Sequence, residues 1–212
     1  MLYDKDIREP LFDFLEEAYG KLRIIEEKQV GKSRADIVMV LPGLLTGIEI
    51  KSDADSYVRL SRQVKDYDRF FDRNMVVAGS SHAAHVREHV PGWWGIITVE
   101  QNDREIDFYV LRQPQENPMM NWKRKLSLLW RPELAHIQEL TAMPRYKEKS
   151  KAFVIEKILA KVPGEQLSVL VSEELFERDY TRIEEVIRAY KIQNRPELKG
   201  RTGKRKRKRR RP

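Results

Sequence analysis

Hydrophobic positions in the first 112 residues switch between two periods, which predicts helices alternating with strands. Ile7, Leu11, Phe14, Leu15 and Ala18 recur at helical spacing, so residues 6–19 should form a helix with one apolar face. Asp6 and Glu9 read as a capping pair that leaves Pro10 in the tolerated first turn, and Gly20 reads as the stop. A strand is expected around residues 22–25, then a turn at Gly31-Lys32-Ser33. Two β-rich runs flank Pro42-Gly43 in the pattern of a hairpin; Asp36 opens the first, and Glu49 and Lys51 close the second. Leu60, Val64, Tyr67 and Phe71 return to helical spacing. Residues 75–78, 95–100 and 106–111 read as strands, the last two joined at Asn102-Asp103, and residues 81–90 as a helix. The order α-β-β-β-α-β-α-β-β predicts an α/β fold: a mixed central sheet with flanking helices and at least one crossover.

Beyond this core (1–112) the pattern changes. Residues 113–120, Gln-Pro-Gln-Glu-Asn-Pro-Met-Met, have the composition of a linker. Residues 121–195 are helix-rich, with helices expected at about 121–140, 149–161, 165–177 and 180–192, punctuated by Pro144 and Pro163-Gly164. They form either a cap on the sheet or a small helical domain. Residues 196–212 cannot supply a core and are expected to be a disordered basic tail.

A chain of 212 residues can bury one good core. No apolar run approaches the ~18 residues of a membrane span, and the first residues lack a signal-peptide pattern, so a cytoplasmic protein without a membrane partner is expected. The absence of cysteine excludes disulfides, thiolate metal sites and a cysteine nucleophile. The net charge of +8 comes from 41 basic and 33 acidic residues. Ten of the basic ones (Lys199, Arg201, and Lys204 to Arg211) lie in the last 14 positions, which contain no acid. Without them the balance is 31 against 33, a net of −2, so the basicity belongs to the tail.

The chemistry concentrates in residues 34–51. Glu49 and Lys51 are two apart, so on a strand they share a face, within reach of Asp36 across the hairpin. Two carboxylates and an ammonium suit a divalent cation beside a phosphate. The alternative is a wet edge strand carrying a surface ion pair. The tripeptide Glu-x-Lys does not decide between them, since it recurs at Glu26-Glu27-Lys28 and Glu197-Leu198-Lys199.

Arg34-Ala35-Asp36-Ile37 followed by Gly47-Ile48-Glu49-Ile50-Lys51 resembles the D-x(n)-(D/E)-x-K core of the PD-(D/E)XK nuclease superfamily. Gln63 and Tyr67 resemble the Q-x-x-x-Y helix motif of its RecB-like and Cas4-like members, and Pro91-Gly-Trp-Trp-Gly95 a small bacterial and phage branch. The resemblance covers roughly residues 4–135 and implies a restriction-endonuclease-like core. It implies an Mg²⁺- or Mn²⁺-dependent nuclease that acts on nucleic acid, DNA first, and leaves a 5′-phosphate and a 3′-hydroxyl. By this resemblance Asp36, Glu49 and the Ile50 carbonyl hold the metal, Lys51 orients or deprotonates the attacking water, and Gln63 and Tyr67 face the site. Members often add an acid from the first helix; Glu9 is the candidate there, with Glu26 or Glu27 on the next element. The rival reading is a non-catalytic nucleic-acid-binding or adaptor protein that reuses the fold.

His82, His85 and His89 have helical spacing, but Mg²⁺ does not favour imidazole and Arg87 and Glu88 mark a solvated helix. Trp93 and Trp94 read as packing rather than base stacking, and Trp122 and Trp130 as core residues eight apart on one helix. Arg34 and the tail residues Lys204, Arg205, Lys206, Arg207, Lys208, Arg209, Arg210 and Arg211 are the candidate nucleic-acid contacts, the tail acting through sequence-independent counterion release.

Overall fold

The computed structural model describes residues 2–102, 105–179 and 183–193. Helix α1 (Asp4–Tyr19) buries Ile7, Leu11 and Leu15 completely, each worth about 1.5–3 kcal/mol of transfer free energy. It begins two residues before the expected start. The Asp6 carboxylate accepts the Tyr3 N–H at 3.1 Å, so Asp6 lies inside the first turn and Glu9 caps nothing. Pro10 consequently sits within the helix rather than at its first turn. Gly20 ends the helix with φ +71°, its N–H bonded to Glu16 O at 2.9 Å.

Six strands follow in spatial order: β1 (Arg23–Val30), β2 (Ser33–Leu41), β3 (Leu44–Lys51), β4 (Arg73–Gly79), β5 (Gly95–Asn102) and β6 (Glu105–Arg112). β1, β2 and β3 pair antiparallel, β3, β4 and β5 parallel, and β5 with β6 antiparallel. The β5–β6 turn at Asp103 lies outside the described residues. Helix α2 (Leu60–Phe70), entered through a 3₁₀ turn at Tyr57–Arg59, makes the crossover between β3 and β4. The mixed α/β sheet is the architecture that the alternating periods predict.

Side chains alternate across the sheet. Ile37, Met39, Ile48, Ile50, Met75 and Val77 pack against α1. Val38, Val40, Leu45, Val76 and Ala78 pack on the other face against α2 and the C-terminal helices α4 (Trp122–Leu126), α5 (Arg131–Leu140), α6 (Lys151–Leu159) and α7 (Gly164–Phe176). That shared core makes the helical region a cap on the sheet. Residues 113–120 are a pinned strap between them: Asn117 is buried and donates to Asp68 O (2.8 Å) and Phe71 O (2.7 Å).

Two predicted helices are interrupted. Residues 81–90 form a short α3 (Ser80–Ala83) and a 3₁₀ turn (Val86–Glu88); this tighter course buries Val86 and packs Tyr57 against the rings of His82 and His89. The expected 121–140 helix breaks at 127–130 because Pro132 starts a new one, with the Glu133 carboxylate accepting the Trp130 N–H at 2.6 Å. Trp122 and Trp130 therefore belong to different elements. A last helix, α8 (Ile183–Gln193), packs on α5. The basic tail lies outside the described residues. No described helix is long and apolar enough to cross a membrane.

Candidate functional site

The site begins where strands part. β2 and β3 pair from Leu41/Leu44 as far as Ile37/Ile48, and the next pair would be Asp36 with Glu49. Pairing stops there, and the Asp36 carboxylate accepts the Ile50 N–H at 2.9 Å instead. On the other side, β1–β2 pairing passes from Glu26/Ile37 to Lys28/Ala35 and omits Glu27. Glu27 has φ +54°, a conformation uncommon for a residue with a Cβ. The freed Asp36 backbone finds other partners: its N–H donates to the Tyr67 hydroxyl (3.1 Å), and its carbonyl accepts from Arg8 Nη1 (3.4 Å).

Glu49 and Lys51 stand on the α2 side of β3 and are only 1% and 6% exposed. Lys51 Nζ lies 2.6 Å from Glu49 Oε1 and 3.2 Å from Gln63 Oε1. The Gln63 amide also donates to Glu49 Oε1, and the Tyr67 hydroxyl donates to Glu49 Oε2 at 2.6 Å. Gln63 and Tyr67 are one turn apart on α2, so one helix supplies both donors. Gly47 admits them. A Cβ there would lie 2.7 Å from the Tyr67 ring and closer still to Phe71, so a larger residue would lift α2 off the strand.

The electrostatics are unbalanced at Asp36. Burial first, then the Glu49 charge, push its carboxyl up to about 7, against the Ile50 N–H and Lys51, which pull it down. Tyr67 is fully buried; burial and the charges of Glu49 and Asp36 hold its pKa well above the ordinary value, so it remains a donor. A cleft of about 400 Å³ opens over this cluster. Asp36, Glu49, Ile50, Lys51 and Gln63 line it together with Arg8, Lys32, Arg34, Arg59 and Arg62, so carboxylates share the opening with five further cations.

Among the described residues no three His, Cys, Asp or Glu side chains are grouped to hold a metal. The donor set still fits a hard dication of the Mg²⁺ kind, which keeps several waters and takes one or two carboxylates plus substrate phosphate. The raised Asp36 carboxyl marks the negative charge that such an ion would neutralise. Asp36, Glu49 and Ile50 are the residues able to hold it.

The structure thus gathers Asp36, Glu49, Ile50, Lys51, Gln63 and Tyr67 around one cleft. Arg34 is exposed at its edge and pairs with Glu27. Glu9 is exposed on α1 and does not line the cleft; the α1 side chains that do are Asp4 and Arg8, and Arg8 reaches Asp36. Arg8 bonds to Asp4 (2.8 Å), Glu26 (3.1 Å) and Glu27 (2.8 Å), and lies 4.0 Å from Asp36 Oδ1. Glu26 and Glu27 are therefore committed to a cation. Sequence reasoning missed Arg8; its signal was a cation placed four residues after Asp4, the spacing of a helical ion pair. It also missed Asp68, whose Oδ1 accepts both indole N–H groups, Trp93 at 3.2 Å and Trp94 at 2.7 Å. That pairing makes the two tryptophans packing residues, as expected. His85 is exposed beside Glu88, while His82 and His89 pack on Tyr57. The tail candidates, Lys204 to Arg211, lie outside the described residues.

Protein cII of Enterobacteria phage P4 is 28% identical to this chain over 101 residues, which make up 48% of the chain and 38% of that protein. The chain thus matches well under half the length of this curated relative. Among solved structures, SfsA of Pyrococcus furiosus in complex with Ca²⁺ overlaps 52% of the chain and 62% of its own, at 16% identity and a TM-score of 0.33, a slight likeness. The family model described as Bacteriophage P4 protein cII matches residues 1–195, which take in the sheet, the cleft and the helical cap. On that match, the chain belongs to the bacteriophage P4 protein cII family.

Proposed function

We propose that this protein is a metal-dependent nuclease of the PD-(D/E)XK type that hydrolyses phosphodiester bonds in nucleic acid, DNA first. The observation that carries the reading is Asp36 set in the parted strands beside the buried Glu49, Lys51, Gln63 and Tyr67 cluster. Asp36, Glu49 and the Ile50 carbonyl would hold Mg²⁺ or Mn²⁺, which would supply a water of lowered pKa and offset charge on the scissile phosphate. Lys51 orients the attacking water and stabilises negative charge on a phosphate oxygen. Gln63 and Tyr67 fix the Glu49 carboxylate. Lys32, Arg34, Arg59 and Arg62 receive neighbouring phosphates, and the basic tail tethers the strand without reading sequence. The test is a panel of single-stranded, duplex and branched DNA with Mg²⁺ or Mn²⁺, run beside Lys51→Ala. Cation-dependent cleavage that Lys51→Ala removes is expected. Failure to cleave any substrate would overturn the reading.

One observation favours a non-catalytic nucleic-acid-binding role: both Glu49 oxygens already accept bonds from within the protein. That reading predicts nucleic-acid affinity that survives both chelation and Asp36→Asn, and a melting temperature that Mg²⁺ leaves unchanged.

A further inference from the structure

A second cavity, of about 460 Å³, lies on the other side of the β1–β2 turn. Lys28, Arg124 and Lys151 line it, with Gln29, Trp130 and Ser127, and no carboxylate is among its lining residues. Lys151 Nζ donates to the Ser127 carbonyl at 2.7 Å, and among the described residues neither Lys28 nor Arg124 pairs its side chain with an acid. The nearest buried carboxylate, Glu133, is already held by Arg178 through bonds of 2.6 and 2.5 Å. Burial, then the charges of Arg178 and Lys151, bring the Lys28 ammonium down to about 8, while Glu133 pulls the other way. A half-buried ammonium such as Lys28 without an acidic partner costs stability, and an anion offsets that cost.

The turn between the two cavities is rigid. Gln29 Nε2 donates to the Gly31 carbonyl (3.0 Å) and the Ser33 carbonyl (2.8 Å). Asp66 accepts the Lys32 N–H (3.1 Å) and the Ser33 hydroxyl (2.7 Å). Gly31, at φ +59°, lets Asp66 approach; a Cβ would meet its carboxylate at 2.5 Å. Lys32 and Ser33 line the cleft on one side, while Lys28 and Gly31 line the cationic cavity on the other. A strand laid across the turn would meet both.

We propose that the cavity formed by Lys28, Arg124 and Lys151 is a second phosphate subsite, which holds the phosphodiester backbone of the nucleic acid bound in the cleft across the Gly31-Lys32 turn. The proposal rests on reading the cleft as a phosphodiester site.

The test measures binding of labelled single-stranded DNA of increasing length to the full chain in EDTA, across a salt series. Lys28→Gln/Lys151→Gln is compared with Lys5→Gln/Lys161→Gln, which removes the same charge from exposed positions elsewhere. The basic tail contributes equally to all variants. The subsite predicts that the slope of log affinity against log salt falls by about 0.7 per cavity lysine for the longer strands. The control should keep its slope, and Lys28→Arg should retain the wild-type slope. An unchanged slope, or an equal fall in the control, overturns the proposal. If millimolar inorganic phosphate raises the melting temperature through Lys28 and Lys151 while the DNA slope stays put, the cavity takes a small anion and the assignment to nucleic acid is wrong. No step requires hydrolysis. A lost slope without any cleavage would count against the nuclease alone, and cleavage with an unmoved slope against the subsite alone.

Discussion

Among the described residues, two buried lysines pair with carboxylates, and they differ in what surrounds them. Lys125 is fully buried, with Nζ 2.7 Å from both oxygens of Asp72 and 4.7 Å from the centre of the Trp122 ring. Asp72 also accepts the Leu45 N–H at 2.7 Å. This pair ties α4 to the start of β4 and to β3, and its charges are matched. Lys51 and Glu49 are equally close, but they border a cleft and a second carboxylate, Asp36, that burial and Glu49 push up to about 7. The difference teaches what separates structural from chemical charge. Lys125–Asp72 is a closed pair, whereas Glu49 and Lys51 share an open cleft with a second carboxylate, Asp36.

The largest effects should come from breaking the two lysines separately. Lys125→Ala leaves Asp72 without its cation and opens space beneath Trp122, a loss of about 3–5 kcal/mol for a broken buried pair. Its melting temperature should fall steeply, while cleavage per folded molecule persists. Lys51→Ala should lower stability less, because Glu49 keeps its Tyr67 and Gln63 donors. Its cleavage rate should drop about 10²–10³-fold, the usual cost of losing one electrostatic stabiliser. Thermal melts and single-turnover cleavage on both variants check the split. Equal loss of activity per folded molecule in the two would erase the distinction.

Sequence pattern made the second pair legible and left the first hidden. Period changes located all six strands and α2, because a strand or helix with one buried face must alternate or recur at its own spacing. Asp36, Glu49 and Lys51 stood out because charges interrupted apolar runs, and Gln63 and Tyr67 because together they resemble the Q-x-x-x-Y helix motif. Lys125 looked like one of several cations in Trp-Lys-Arg-Lys, and Asp72 like a loop residue. Their contact spans 53 positions and depends on how the cap docks, which local spacing does not encode. The same holds for Arg8, which meets Glu26, Glu27 and Asp36 only after α1 lies against the sheet. The break at residues 127–130 was hidden for another reason: the expected 121–140 helix ran across Pro132, which starts a helix.

Asp36→Asn sharpens the comparison from the carboxylate side. The folded carboxyl titrates at about 7 against an ordinary value of 3.8. Between those values the folded chain holds a proton that the unfolded chain lacks, so stability falls as pH rises across that window. Below pH 4 both states are protonated and the penalty vanishes. Asp36→Asn should therefore melt above wild type at pH 8, with the gap narrowing toward pH 5 and closing only near pH 4. Over the same range Mn²⁺ affinity of the wild type should climb about tenfold per pH unit and level off above pH 7, since the ion displaces one proton. A stability gap that is identical at pH 5 and pH 8 would mean that Asp36 is already neutralised within the protein.

Tyr67→Phe tests the helix that supports the cleft, and the expected effect is the smallest. The hydroxyl donates to Glu49 Oε2 at 2.6 Å and accepts the Asp36 N–H at 3.1 Å. Its removal leaves a buried carboxylate oxygen and a backbone donor unsatisfied, at a cost of about 1–3 kcal/mol. The ring remains seated over Gly47 and against Trp94, 5.5 Å between centroids, so the fold should persist. Glu49 then keeps Lys51 and Gln63 on Oε1 while Oε2 is free to turn toward the cleft. If the hydroxyl orients Glu49 for a cation, cation affinity should fall by about tenfold and the melting temperature by a few degrees. If instead it holds Glu49 away from a cation, the melting temperature should fall while cation affinity rises. The sign of that affinity change decides whether the parted strands are set for metal or sealed against it.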